Sequence, residues 1–196
     1  MRSRILLLLI AASLFFAALA TAVMHGRTQR ADNCVRAAIH THATPPLTAF
    51  MRGLTFVGSP AALIIIGVVI VFALDRSDAL HFVIAVIGAE LLDRSLKLFF
   101  HRPRPPAFFG LAEPGGFSFP SGHALVSCAF FVTMAALAAK RIESQTARIC
   151  LYAAAALLIA AIGFSRIYLG VHYPTDVLAG YAAAAAWLSI VTLARR

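Results

Sequence analysis

The chain is patterned in long, nearly unbroken apolar runs, with little of the alternation of a strand or the polar-faced stripe of a soluble helix. Six runs, at residues 5–24, 54–74, 77–100, 122–139, 149–165 and 177–194, approach the roughly 20 residues that a helix needs to cross about 30 Å of hydrocarbon. The first two are free of charge, whereas the third carries Glu90, Asp93, Arg94 and Lys97 in its later half. In the last three, His123 is the only ionisable side chain apart from Cys and Tyr. The pattern predicts an all-α, polytopic membrane protein with six transmembrane helices, a single integral-membrane domain over residues 1–196. The alanine stretches 153–156 and 182–186 suit close helix contact in lipid, where small residues let backbones approach.

Residues 5–24 have a second reading as a cleaved signal peptide, with Arg2 and Arg4 before the run and Ala18-Leu19-Ala20 resembling a cleavage site. An uninterrupted run of this length exceeds the usual signal core and favours a span; its removal would leave five spans in the same orientation. Between the first two runs, residues 35–51 place apolar side chains at irregular helical spacing around Pro45-Pro46, as a short element lying in the membrane interface would. His40 and His42 in that stretch read as solvated loop residues rather than as a metal pair.

Composition agrees with a bilayer as solvent: 61% of residues are hydrophobic, and mean hydropathy is +0.85. The formal charge of +9 sits mostly at the ends of apolar runs, which argues against a nucleic-acid partner. Arg2, Arg4, Arg76, Lys140, Arg141, Arg148, Arg195 and Arg196 crowd the termini and the short connections at 75–78 and 140–148. Arg27, Arg30, Arg36, Arg52, Arg102, Arg104 and Arg166 are spread over the long connections at 25–53, 101–121 and 166–176. Cation density therefore predicts cytoplasmic termini and long loops outside. The three cysteines, Cys34, Cys128 and Cys150, form neither a disulfide framework nor a Cys-x-x-Cys metal site.

An even number of spans separates the segments richest in chemistry, so all of them fall at one membrane face. Lys97 ends the third span, Arg104-Pro105 and Pro120-Ser121-Gly122-His123 lie in or just after the next loop, and Ser165-Arg166, His172 and Asp176 surround the loop before the sixth. Ser121 and Gly122 start a helix, where free N–H groups and the positive end of the dipole favour an anion. Arg104 and Arg166 offer planar forks for phosphate, and Lys97 a mobile point charge. Taken singly, each cation reads as an ordinary flanking or snorkelling charge. As a set they read as an anion site.

His172 and Asp176 lie four residues apart across Pro174. A carboxylate bonded to one ring nitrogen fixes the tautomer and leaves the other lone pair free for attack. His123 is placed to serve as a general acid. Spacings of four allow Glu90 to pair with Arg94 and Asp93 with Lys97. Whether Asp93 turns Lys97 toward a phosphate or forms a purely structural ion pair stays open at this level.

At these residues the chain strongly resembles the type-2 phosphatidic acid phosphatase superfamily, whose signature reads Lys-x6-Arg-Pro, Pro-Ser-Gly-His and Ser-Arg-x5-His-x3-Asp. All three parts are complete here, from Lys97 to Asp176. The resemblance implies a metal-independent, cofactor-free hydrolase of membrane lipid phosphates that works through a phosphohistidine at the outer, periplasmic ends of the third, fourth and sixth spans. By motif position, His172 would be the nucleophile, Asp176 its partner and His123 the acid; Lys97, Arg104, Ser121, Gly122 and Arg166 would hold the phosphoryl oxygens. The implied setting is a bacterial inner membrane, and the implied partners are the bilayer and a lipid substrate. Candidate substrates in bacterial relatives are undecaprenyl diphosphate, phosphatidylglycerol phosphate, phosphatidic acid and lipid A phosphates.

Phe99, Phe100, Phe108, Phe109, Phe117 and Phe119 flank the motifs and offer either an apolar approach for a lipid tail or an aromatic interface belt. A phosphotransferase using the same residues, or a non-catalytic lipid- or anion-binding protein, are the alternatives.

Overall fold

The computed structural model describes residues 2–109 and 115–195. Arg196, counted above among the cytoplasmic cations, and residues 110–114 of the second long loop lie outside the described residues. The described chain folds into α1 (Arg2–Met24), α2 (Gln29–Thr41), α3 (Pro45–Val57), α4 (Pro60–Ala73), α5 (Arg76–Phe100), α6 (Gly122–Ala139), α7 (Gln145–Tyr168) and α8 (Pro174–Ala194), with no strand among those residues.

Helix boundaries follow local chemistry. Asp75 caps α5 by accepting from the N–H groups of Ser77 and Asp78, and Ser144 caps α7 through Ala147 N–H. Proline is first in α3, α4 and α8, where its missing N–H costs nothing. This chemistry divides two stretches that the apolar pattern joins. Pro45-Pro46 opens α3, so residues 35–51 are divided between α2 and α3 instead of forming one element. Within residues 54–74, α3 ends at Val57 and Ser59 caps α4, with a bend of 49° between the two helices. The proline ring at position 60 cannot continue the preceding helix.

Helices α6 and α8 form the interior. Helix α1 lies along α8, α5 and α7 flank α6, α3 packs on α7, and α4 rests against α5 at the edge. Ala89, Leu125, Ala129, Ala183 and Ala184 join α5, α6 and α8 through small side chains, as close helix approach in lipid requires. Toward α7 the packing is bulkier, with Phe82, Phe130 and Ile162 buried and the rings of Phe82 and Phe130 edge-to-face at 5.0 Å.

Four helices, α1, α6, α7 and α8, are long and apolar enough to cross a membrane, and α3 with α4 makes a fifth if the bent pair is one span. Helix α5 has 25 residues, enough length to cross, but its ionised side chains leave it outside that count. The chain is thus an integral membrane protein with a helical bundle. By length and apolarity, the described helices supply four or five of the six spans the sequence pattern predicts.

Between α7 and α8, Gly170 holds φ +76°, and a β-carbon there would stand 2.8 Å from the backbone nitrogen of Phe108. Backbone cannot yield as a flexible side chain can. Gly170→Ala is expected to cost about 1–3 kcal/mol, read as a fall of about 5 °C in the unfolding midpoint of the detergent-solubilised protein.

Candidate active site

The motif segments meet where α5, α6, α7 and α8 approach one another. Helix α5 stops at His101, whose φ of 50° turns the chain out of the helix just after Lys97. Pro103, Pro105 and Pro106 then keep the backbone extended and bring Arg102 and Arg104 across the bundle. This segment is sewn to its surroundings by Phe108 N–H donating to Leu169 O at 3.1 Å and Ser118 N–H donating to Arg102 O at 2.8 Å. Ser121 N–H donates to Asp176 O at 2.9 Å, tying the start of α6 to the first turn of α8.

His172 is 2% exposed and lies in the connection between α7 and α8. Its Nδ1 is 3.3 Å from Asp176 Oδ2, and its Nε2 is 3.0 Å from Arg104 Nη1. A guanidinium only donates, so Nε2 must accept and the ring proton belongs on Nδ1, facing the carboxylate. The lone pair of Nε2 therefore points toward the cationic side. Burial, aided by Arg104 and Arg166, pushes the His172 pKa down to about 4 against the opposing pull of Asp176. Burial likewise lowers the pKa of Arg104 from its ordinary value.

Lys97 is paired with Asp93 one turn earlier, both side chains largely buried. A β-carbon on Gly122 would lie 2.7 Å from Asp93 Oδ2 and 3.1 Å from Lys97 Nζ, so only glycine lets the ion pair reach the start of α6. Arg104 also donates to Val171 O at 3.1 Å, and Arg166 donates to Thr55 on α3. His123 stands on the first turn of α6 within electrostatic range of Arg166, His172, Lys97 and Arg104. Every residue of the sequence-derived set thus occupies this one end of the bundle.

Three polar atoms here are buried and lack a hydrogen-bond partner: Arg104 Nε, Arg166 Nε and Ser121 Oγ. An unsatisfied buried polar group costs about 1–3 kcal/mol, so such a cluster calls for a reason. Ser121 is the N-cap of α6 yet makes no side-chain cap bond, unlike Ser59 and Ser144. Two cationic forks, a hydroxyl and a helix N-terminus with free donors together match the oxygens of a phosphoryl group.

Several participants carried no signal in the sequence. Thr55, which holds Arg166, comes from α3. Asp32 of α2 is 2% exposed and accepts from Thr175 N–H and from Arg102, which is itself 7% exposed and also donates to Asp176. In the sequence Arg102 reads only as a loop cation, and Asp32 lies 143 residues from Thr175. Nothing in their spacing could have joined them. Among the flanking phenylalanines, Phe119 is fully buried against Phe16 and Phe100, a core position rather than an open approach, while Phe99 is exposed. His40 stacks on Phe108 at 4.0 Å from its exposed place on α2, rather than standing free in a loop.

The fold and this end of the bundle define an integral membrane protein with a buried, cation-lined site. Residues 78–196 match the PAP2 superfamily, and the chain belongs to it. It is 32% identical to phosphatidylglycerophosphatase B of Bacillus subtilis over 86% of this chain and 85% of that one. With an undecaprenyl-diphosphatase of Sulfolobus acidocaldarius it shares 26% identity over 63% of this chain and 58% of the other. The crystal structure of a transmembrane PAP2-type phosphatidylglycerolphosphate phosphatase from Bacillus subtilis superposes with a TM-score of 0.84 at 30% identity, covering 94% of both chains.

Protonation of His172 would remove the lone pair, so activity that depends on Nε2 falls as pH drops through the pKa of this ring. Because burial depresses that pKa, the neutral ring persists into more acidic solution. The acid limb of kcat/KM should have its midpoint near about pH 4 rather than at the usual imidazole value. A midpoint between about 6 and 7, typical of an unperturbed imidazole, would contradict the buried geometry.

Proposed function

We propose that the chain is a lipid phosphate hydrolase that works through a phosphohistidine at His172. One observation carries this reading: His172 presents Nε2 to Arg104 at 3.0 Å while Asp176 holds Nδ1 on the opposite side of the ring. Lys97, Arg104, Arg166, Ser121 and the N–H groups at Gly122 would grip the nonbridging oxygens of the phosphoryl group. Nε2 of His172 attacks phosphorus and the bond to the leaving oxygen breaks, with His123 delivering a proton to that oxygen. Water, deprotonated by His123, then attacks the phosphohistidine, releasing inorganic phosphate and restoring the ring. Charge that develops on the transferring group meets donors already in place, which lowers the barrier without reorganisation. Three cations and several neutral donors face the phosphoryl group, so no step needs a metal.

Membership of the PAP2 superfamily and the apolar bundle support a membrane lipid as the substrate class. The wider likeness to a phosphatidylglycerophosphatase favours a glycerolipid phosphate, with a prenyl diphosphate second. We place the whole chain in one catalytic unit of six spans, α5 among them, in a bacterial inner membrane with the site facing the periplasm. The density of cations at the opposite end supports this orientation.

Purified protein should release phosphate from a panel of phosphatidylglycerol phosphate, phosphatidic acid and undecaprenyl diphosphate, retain turnover in EDTA and be inhibited by vanadate. Rapid quenching should trap an acid-labile, alkali-stable phosphoenzyme. His172→Ala should lower kcat by at least about 10³-fold while vanadate still binds. Equal turnover in wild type and His172→Ala would refute the mechanism, and strict magnesium dependence would refute its metal-free form.

A further inference from the structure

We propose that Arg102, anchored by Asp32, is a positioning residue that fixes the carboxylate of Asp176 in the orientation His172 needs. This inference rests on the reading of His172 and Asp176 as nucleophile and partner. Its starting point is a weakness in that pair. At 3.3 Å, the contact between His172 Nδ1 and Asp176 Oδ2 is longer than the ~2.8 Å of a strong charge-assisted bond, so it does not lock either group by itself.

The carboxylate is instead held from its other side. Arg102 Nη1 donates to Asp176 Oδ1 at 2.7 Å, which leaves Oδ2 for Tyr173 N–H at 2.9 Å and for the imidazole. The two oxygens are thereby assigned different partners, and rotation about the Cβ–Cγ bond would break the shortest contact.

Arg102 is itself immobilised. Its Nη1 also donates to Thr175 Oγ1 at 2.9 Å, its Nη2 donates to Asp32 Oδ2 at 2.8 Å, and its guanidinium lies 4.0 Å from the ring centre of Tyr173. Asp32 in turn accepts from Thr175 N–H at 3.1 Å and from Thr175 Oγ1 at 2.7 Å. The acid on α2 therefore holds both the first turn of α8 and the fork that aims Asp176. A buried trio of two carboxylates and one guanidinium is a poor device for stability, because desolvation offsets the attraction. A planar fork between two carboxylates is a good device for direction.

The test uses the full chain in detergent, with active sites counted by vanadate titration and kcat and KM measured on a short-chain phosphatidic acid. Arg102→Gln should lower kcat per vanadate-binding site by about 10- to 100-fold, with KM and vanadate affinity changed by less than about threefold. Arg102→Lys should recover only part of the loss, since a single ammonium cannot span both carboxylates and Thr175.

Arg102→Gln alone leaves two buried carboxylates unbalanced. The double variant Asp32→Asn, Arg102→Gln keeps the net charge of the native trio, so it should fold where the single variant falters, yet remain as slow per site. Recovery of kcat in the double variant to within about threefold of wild type would overturn the proposal, because Arg102 would then only balance charge. Failure of both variants to give folded, vanadate-binding protein would also overturn it, making Arg102 a structural brace. Failure of the catalytic reading itself is seen separately, as turnover that survives in His172→Ala.

Discussion

Holding mutually repelling cations at the end of an apolar bundle is the constraint on which this structure depends. Lys97, Arg104 and Arg166 come from α5, the loop after it, and α7, and each is kept in place by a different tether. Lys97 has a carboxylate, Arg104 a backbone carbonyl of the loop carrying the histidine, and Arg166 a threonine from α3. Neither arginine's tether uses up the donors of its guanidinium, and Nε of both remains buried without a partner. Low dielectric makes such unpaired donors costly, and the same low dielectric would strengthen their hold on the phosphoryl group of the proposed mechanism.

The bundle supplies the rigidity this arrangement needs. Small residues bring α5, α6 and α8 close together, and Gly122 lets the Asp93–Lys97 pair press against the start of α6. The charged half of α5 is thereby accommodated: Asp93 and Lys97 turn inward and satisfy each other, while Glu90 and Arg94 pair on the outer surface. The charges that keep α5 from resembling an ordinary span belong, at two of their positions, to the site itself.

The connections outside the bundle contribute as much as the spans. Helix α2 brings Asp32, from just before the stretch that suggested an interfacial element, and α3 brings Thr55, from the start of the second apolar run. Thr55 holds the motif residue Arg166 from 111 positions away, and Asp32 holds Thr175, next to Asp176, from 143 positions away. The break between α3 and α4 falls beside the site too, since a β-carbon on Gly58 would come within 3.5 Å of His123.

By itself the sequence determined the helical class, the apolar runs, the end of the bundle shared by Lys97, Arg104, Ser121, Gly122, His123, Arg166, His172 and Asp176, and the signature they spell. Hydrophobic run length and the parity of crossings are local properties, readable from residue order without coordinates. The tertiary structure alone decided that the second run is broken, that Phe119 is core, that His172 turns Nε2 toward Arg104, and that Asp32 and Arg102 stand behind Asp176. Those outcomes depend on which side chains meet after distant segments pack. No spacing along the chain encodes such meetings, because the contact between Asp32 and Thr175 exists only once α2 has docked on the start of α8.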